Sequence, residues 1–78
     1  MPAAAQPPWI LDARRALGDR IRDTRMWRDM TQEELAEQAG IDRSTVQRLE
    51  AGADAKVSHL LRIALTLNIP VTDLLHEL

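Results

Sequence analysis

The segment TQEELAEQAGIDRSTVQRLEAG, residues 31–52, contains two short helical patterns that are joined by one glycine. Its first four residues have the S/T-x-x-E spacing of a capping box, in which side chains and backbone N–H groups bond reciprocally at the start of a helix. Gly40 predicts the end of that helix, because glycine readily adopts the left-handed conformation of a helix C-terminus. Asp42 predicts the N-cap of the next helix, at about residues 43–51. The segment therefore predicts two short helices around a tight turn.

The flanking sequence predicts three further helices and no strand. Apolar residues recur at spacings of three and four over residues 12–28 and again over residues 57–68. Pro70 forbids continuation of the latter helix, because proline has no backbone N–H and its ring clashes with the preceding turn. Thr72 predicts the cap of a last short helix. We therefore expect an all-α fold of five helices, with the helix pair at about residues 31–51.

The length of the chain, 78 residues, is enough for one small domain. We place this domain at residues 12–78. Residues 1–11, which begin with MPAAAQPP, are expected to form a flexible N-terminal arm, because such a proline-rich segment does not form a stable helix.

Composition excludes several classes of protein. The chain has no cysteine, so neither a disulfide framework nor a thiolate metal site is available. His59 and His76 are far apart in the sequence, so we expect no metal site and no cofactor. The acids Glu33, Glu34 and Glu37 have no nucleophile beside them, so we do not expect the protein to be an enzyme. No apolar run approaches the roughly 20 residues of a membrane span, and MPAAAQPP lacks the basic start and the long apolar stretch that are typical of a signal peptide. We expect a cytoplasmic, nucleoid-associated protein.

Charge is distributed unevenly along the chain, whose formal net charge is −2. Residues 12–30 carry six arginines and four aspartates, whereas residues 31–54 carry two arginines and six acids. A local basic face is therefore compatible with an acidic total. Among the arginines of the first helix, Arg22 is our candidate for a contact to a DNA phosphate.

The helix predicted at about residues 43–51 has a polar front and an apolar back. A residue advances about 100° around a helix, so Arg43, Ser44, Gln47 and Arg48 cluster on one side. Arginine donates a bidentate pair to guanine, glutamine does the same to adenine, and serine suits either. Such a front is suited to the major groove of duplex DNA.

The preceding helix offers a complementary feature at its N-terminus. The first N–H groups of a helix and the positive end of its dipole suit a phosphate. Gln32 lies in the first turn and adds a side-chain donor. We expect this end to hold one phosphate of the DNA backbone.

These features together resemble the helix-turn-helix of the XRE family, which includes the phage lambda repressor and Cro. The matching residues are Thr31-Gln32-Glu33-Glu34-Leu35-Ala36, Gly40-Ile41, Ser44-Thr45-Val46, Leu49-Glu50 and Gly52. The later stretch LLRIALTLNIPVTDLL is similar to the fourth and fifth helices of the family, and the resemblance covers about residues 16–75. It implies a compact five-helix, lambda-repressor-like DNA-binding domain.

The resemblance also implies roles for single residues. It assigns base contacts to the polar front of the third helix and phosphate contacts to Gln32, Thr45 and Lys56. It further implies an ion pair between Arg25 of the first helix and Glu50 of the third. A carboxylate at the edge of the buried face needs such a partner.

Some positions depart from the family pattern. Asp29 replaces the usual glycine in the turn before the second helix, so we expect this turn to differ. Leu65, Met26 and Trp27 stand where polar residues are usual. Together with residues 9–11 they give surplus apolar surface, which predicts either that the arm folds back over it or that it makes a dimer contact.

The sequence thus predicts a transcriptional regulator that binds specific sequences of double-stranded DNA. Regulators of this type are more often repressors than activators, so we expect a repressor. One reading helix covers only a few base pairs, which favours a homodimer on a two-fold operator. The alternative is a protein-interaction module, or the antitoxin of a toxin pair, on the same fold. The acidic second helix and the net charge favour this alternative.

Overall fold

The computed structural model describes residues 6–78, which form five α-helices and no strand. The helices are α1 (Pro8–Trp27), α2 (Gln32–Ala39), α3 (Arg43–Glu50), α4 (Val57–Leu67) and α5 (Val71–Leu75). The expected all-α, lambda-repressor-like fold is confirmed.

The first helix begins at Pro8, earlier than the sequence predicted. Proline is tolerated at the first position of a helix, because the N–H it lacks has no intrahelical partner there, and its fixed φ suits the helix. Residues 8–11 are therefore the first turn of α1 and do not belong to an arm. Of the rest of the expected arm, Gln6 and Pro7 precede the helix, and residues 1–5 lie outside the described residues.

The turn between α2 and α3 is built as its local sequence predicts. The Thr31 hydroxyl accepts a hydrogen bond from the Glu34 N–H (3.0 Å), and the Glu34 carboxylate accepts one from the Thr31 N–H (3.1 Å). Gly40 ends α2 in the left-handed conformation, with φ of 70°. Asp42 precedes α3, but its side chain makes no capping bond.

The structure differs from the sequence prediction at two turns. The N-cap of α5 is Pro70 and not Thr72, which lies inside the helix. Pro70 has φ of −64° and ψ of 144°, so the chain is extended at this residue and turns helical at Val71. Asp29 adopts φ of 55°, so the turn before α2 keeps a left-handed residue although aspartate has replaced glycine.

The core is aliphatic and draws on all five helices. It contains Leu17, Ile21, Leu35, Ala36, Val46, Leu49, Leu60, Ile63, Ala64, Leu67 and Leu74. Gly18 sets the distance between α1 and α3, since a Cβ atom there would lie 2.4 Å from the Leu49 carbonyl oxygen and 2.9 Å from that of Glu50. Because α1 supports α3 from behind, the front of α3 faces outward.

Candidate nucleic-acid interface

Helix α3 separates its polar and apolar residues as the sequence predicted. Its back is buried, while the four front side chains are exposed. We call these four residues the reading row: Arg43, Ser44, Gln47 and Arg48. Because α3 packs against α1 and α2 through its back, the reading row is presented on a fixed helix.

Thr45, a predicted phosphate contact, is largely covered by its neighbours. It is only 8% exposed. Its hydroxyl is 3.4 Å from an Nη2 donor of Arg48, which is near the limit of a hydrogen bond. Thr45 precedes Arg48 by three residues and so lies beside it on the surface of α3, where its hydroxyl is placed to orient the Arg48 side chain.

Arg25 and Glu50, the pair implied by the family resemblance, are joined by two hydrogen bonds. Arg25 Nε donates to Glu50 Oε2 at 2.7 Å, and Arg25 Nη2 donates to Oε1 at 3.0 Å. The side chains are only 12% and 5% exposed. Arg25 Nη1 also donates to the Met30 carbonyl oxygen at 2.8 Å, so the guanidinium ties α1 to both α3 and the turn before α2.

Gln32 completes this cluster from α2. Its Nε2 donates to Glu50 Oε1 at 3.1 Å. One carboxylate thus receives donors from α1 and α2, and this fixes the end of α3 relative to both helices. We call Arg25, Gln32 and Glu50 the brace.

Glu50 also affects the acid–base behaviour of its partner. The hydrogen bond from Arg25 to Glu50 raises the pKa of the arginine above its ordinary value, although partial burial opposes the shift. The Glu50 charge acts in the same direction as the hydrogen bond. Arginine is already charged at any accessible pH, so the brace keeps its cation through the neutral range.

Two depressions flank α3. The first is a recess at the N-terminus of α2, lined by Arg25, Thr31, Gln32, Glu33 and Arg43. The first N–H groups of α2 lie at this end, where a helix has no internal acceptors for them. The recess therefore places the dipole end of α2 next to the reading row.

The second depression is an open groove of about 640 Å³ between α3 and the start of α4. Its cationic side chains are Arg48, Lys56 and Arg62, and its acids are Asp42 and Asp54. Lys56, a predicted phosphate contact, lies here beside α3.

Sequence reasoning missed three polar residues of this groove. Ser58, His59 and Arg62 lie in α4 and line the groove with Lys56. Ser58 and Arg62 are four residues apart and so share one side of the helix. The sequence alone shows that Ser58 and Arg62 share one side of α4. It does not show that this side faces α3, because that depends on how α4 packs against the other helices. Arg62 Nη1 reaches the Ala39 carbonyl oxygen at 3.4 Å, so it also contacts the end of α2.

Arg22 lies on α1 between two acids of the same helix. It is 3.5 Å from Asp19 and 3.7 Å from Asp23, and all three side chains are about half exposed or more. Exposed ion pairs of this kind contribute little to stability. The guanidinium is therefore accessible, and no contact links it to the reading row.

The apolar residues that depart from the family pattern are exposed. Trp27 is 84% exposed, Leu65 83% and Met26 60%. Trp9 is itself 66% exposed, so residues 9–11 do not fold back over this apolar surface. None of the helices within residues 6–78 is both long and apolar enough to cross a membrane.

Two short helices around a tight turn, with a polar row on the second, define a helix-turn-helix. A family model described as Helix-turn-helix matches residues 21–74. The chain belongs to the XRE-type helix-turn-helix family, whose members are DNA-binding transcription regulators.

Two solved structures are similar to this chain. The restriction-modification controller protein C.AhdI from Aeromonas hydrophila has a TM-score of 0.76 and 32% identity, over 78% of this chain and 94% of that one. The hypothetical transcription factor NHTF from Neisseria has a TM-score of 0.76 and 30% identity, over 96% of this chain and 83% of that one. Both likenesses agree with the family assignment.

Proposed function

We propose that this protein binds specific sequences of duplex DNA by placing α3 in the major groove, and that it acts as a transcriptional repressor. The observation that carries the proposal is the reading row: four exposed hydrogen-bonding side chains on one face of a helix that is fixed from behind. One similar structure is a restriction-modification controller protein and another is a hypothetical transcription factor, and these similarities support a regulatory role.

The chemistry of the reading row suits base edges. Arg43 and Arg48 each offer a guanidinium fork to the N7 and O6 acceptors of guanine, and Gln47 offers a donor and an acceptor to adenine. Ser44 lies between them and accepts or donates. Each good bidentate pair contributes about 1–3 kcal/mol of discrimination against a wrong base.

The two depressions are suited to the two DNA backbones that border the groove. On one side, the N-terminus of α2 and the free N–H of the Gln32 amide receive a phosphate. On the other, Lys56 provides the cation, with Thr45 supporting Arg48 from below. Arg22 contributes a more distant backbone contact by exchanging its weak pairs with Asp19 and Asp23 for a phosphate.

The proposed operator has two-fold symmetry and is bound by a homodimer. A single α3 of eight residues contacts only a few base pairs. Two copies on half-sites about one helical turn apart double the contacted sequence. The sum of both sets of contacts gives useful specificity in a genome.

Selection from a random duplex pool tests the proposal. We expect enriched sites with a two-fold pattern, and an affinity whose logarithm falls linearly with the logarithm of salt, by about 0.9 for each phosphate neutralised. A promoter carrying the selected site should lose output when the protein is expressed, and a gain of output would contradict repression.

A protein-interaction module or an antitoxin is the competing function. The exposed acids Glu33, Glu34 and Glu37 on α2 favour it, because an acidic face repels DNA and attracts a basic partner. In that case the selection returns no enriched sequence, and the weak binding that remains is independent of the reading row.

A further inference from the structure

We propose that His59 is a further contact to a DNA phosphate, formed only when its imidazole is protonated, so that DNA binding takes up a proton and weakens as pH rises. The contact lies in the open groove between α3 and the start of α4, which we call the α4 groove. The proposal rests on the proposed function, because that function brings one DNA backbone to this groove.

The imidazole of His59 is placed in the α4 groove without a partner of its own. His59 lies in the first turn of α4, is partly buried and lines the groove together with Lys56. Among residues 6–78, no carboxylate oxygen lies within 4.0 Å of its ring nitrogens. None of the side-chain hydrogen bonds that the described residues form in this groove uses the ring. Its nitrogens are therefore available to a ligand.

The charged groups that face His59 nearly cancel one another. They come from α3 and its N-cap, from the loop before α4 and from α4 itself, and they are Asp42, Arg48, Asp54, Lys56 and Arg62. Three cations and two carboxylates leave a formal charge of +1 while the imidazole is neutral. Protonation of His59 doubles this charge, so a single proton changes the attraction of the groove for a phosphate substantially.

Two of the three cations in the groove already have other contacts. An Nη2 donor of Arg48 is 3.4 Å from the Thr45 hydroxyl, and Arg48 belongs to the reading row. Arg62 Nη1 donates to the Ala39 carbonyl oxygen at 3.4 Å. Lys56 is thus the one groove cation whose side chain makes no hydrogen bond or ion pair within residues 6–78. Protonated His59 supplies a second cation beside it for the same phosphate.

Protonation of His59 and phosphate binding strengthen each other. A phosphate next to an imidazole favours the charged ring, because the charges are opposite and both ring nitrogens then donate. By linkage, the proton strengthens phosphate binding by the same factor. Histidine changes its charge between about pH 5 and pH 8, so the contact is complete at the acidic end of this range and is lost towards the alkaline end. The arginine, lysine and aspartate side chains of the groove keep their charges throughout.

Fluorescence anisotropy of a labelled duplex that carries one selected half-site, at constant ionic strength, tests the proposal. We expect the full chain to bind about tenfold more weakly at about pH 8 than at about pH 5.5, since a nearby opposite charge favours the ionised form of a group by a factor of roughly ten or more. A half-site duplex binds one copy, so the result does not depend on association between copies.

Two substitutions fix the charge at position 59. His59→Gln should bind at every pH as the parent does at the alkaline end, because glutamine stays neutral. His59→Lys should bind at every pH about as the parent does at the acidic end. His76→Gln is the matched control and should keep the pH dependence of the parent, because His76 lies next to Glu77 at 3.5 Å and does not line the α4 groove.

Two results overturn the proposal: a parent affinity that changes by less than about threefold across this pH range, or a His59→Gln variant that keeps the pH dependence of the parent. Circular dichroism at both pH values shows whether each variant is folded, and His59→Lys gives the answer independently if His59→Gln does not fold. Failure of the proposed function looks different. In that case the parent binds the half-site no better than a scrambled duplex, even at the acidic end.

Discussion

Replacement of Glu50 by alanine is the perturbation that most directly tests the brace. It removes both acceptors of Arg25 at 2.7 and 3.0 Å and the acceptor of Gln32 at 3.1 Å. Removing one partner of a buried ion pair costs about 3–5 kcal/mol, because the other charge is left without compensation. Arg25 keeps its bond to Met30 and is 12% exposed, so we expect the lower end, about 3 kcal/mol.

Thermal denaturation followed by circular dichroism measures this effect. In a domain of this size, each 1 kcal/mol shifts Tm by roughly 4–8 °C, so Glu50→Ala should lower Tm by about 12–24 °C. Arg22→Ala is the control, because it removes only exposed ion pairs and should change stability by less than about 0.5 kcal/mol. A loss below about 1 kcal/mol for Glu50→Ala would refute the reasoning.

A double-mutant cycle then separates the pair from the rest of the fold. Arg25→Met with Glu50→Leu replaces both charges by apolar side chains, which is often close to neutral for a buried pair. The double variant should be more stable than Glu50→Leu alone. Additive losses would show that the two residues act independently.

Three further substitutions test other features of the fold by urea denaturation. Gly18→Ala should destabilise by about 1–3 kcal/mol, because its Cβ would meet the Leu49 carbonyl oxygen at 2.4 Å; unchanged stability would mean that α1 and α3 separate freely. Thr31→Ala removes the capping bond to the Glu34 N–H and should cost about 1 kcal/mol, whereas Thr31→Ser should be nearly neutral. Gly40→Ala should cost about 1–2 kcal/mol because φ is 70°, and an equal stability would contradict the left-handed turn.

Local signals in the sequence were enough to predict the helix-turn-helix. The capping box at Thr31 and the left-handed Gly40 depend on chemistry within a few residues, and the structure has both. The sequence predicts too late a start for α1, because a proline-rich stretch is typical of a flexible arm, whereas Pro8 is compatible with the first position of a helix. Threonine is a common N-cap residue, which favours Thr72, but α5 begins at Val71 with Pro70 as its N-cap.

Tertiary packing decided the features of the interface that the sequence did not show. Thr45 lies at the edge between the polar and apolar sides of α3, and the packing around it leaves it buried. The sequence predicts a phosphate contact for Gln32, whereas its bond to Glu50 arises only when the fold brings α2 and α3 together. The hydrophobic periodicity of one helix predicts which side is buried, but it does not predict how close another helix lies to that side.

Base recognition by α3 is the central claim, and the binding profile of Arg43→Ala on single-base variants of the selected site tests it most directly. We predict a loss of about 1–3 kcal/mol in binding that is confined to one base position in each half-site, where the variant no longer discriminates. Gln32→Ala should instead weaken binding to every sequence alike, because it removes a backbone contact. If Arg43→Ala keeps the parent's preference at every position, α3 does not read DNA in the proposed orientation.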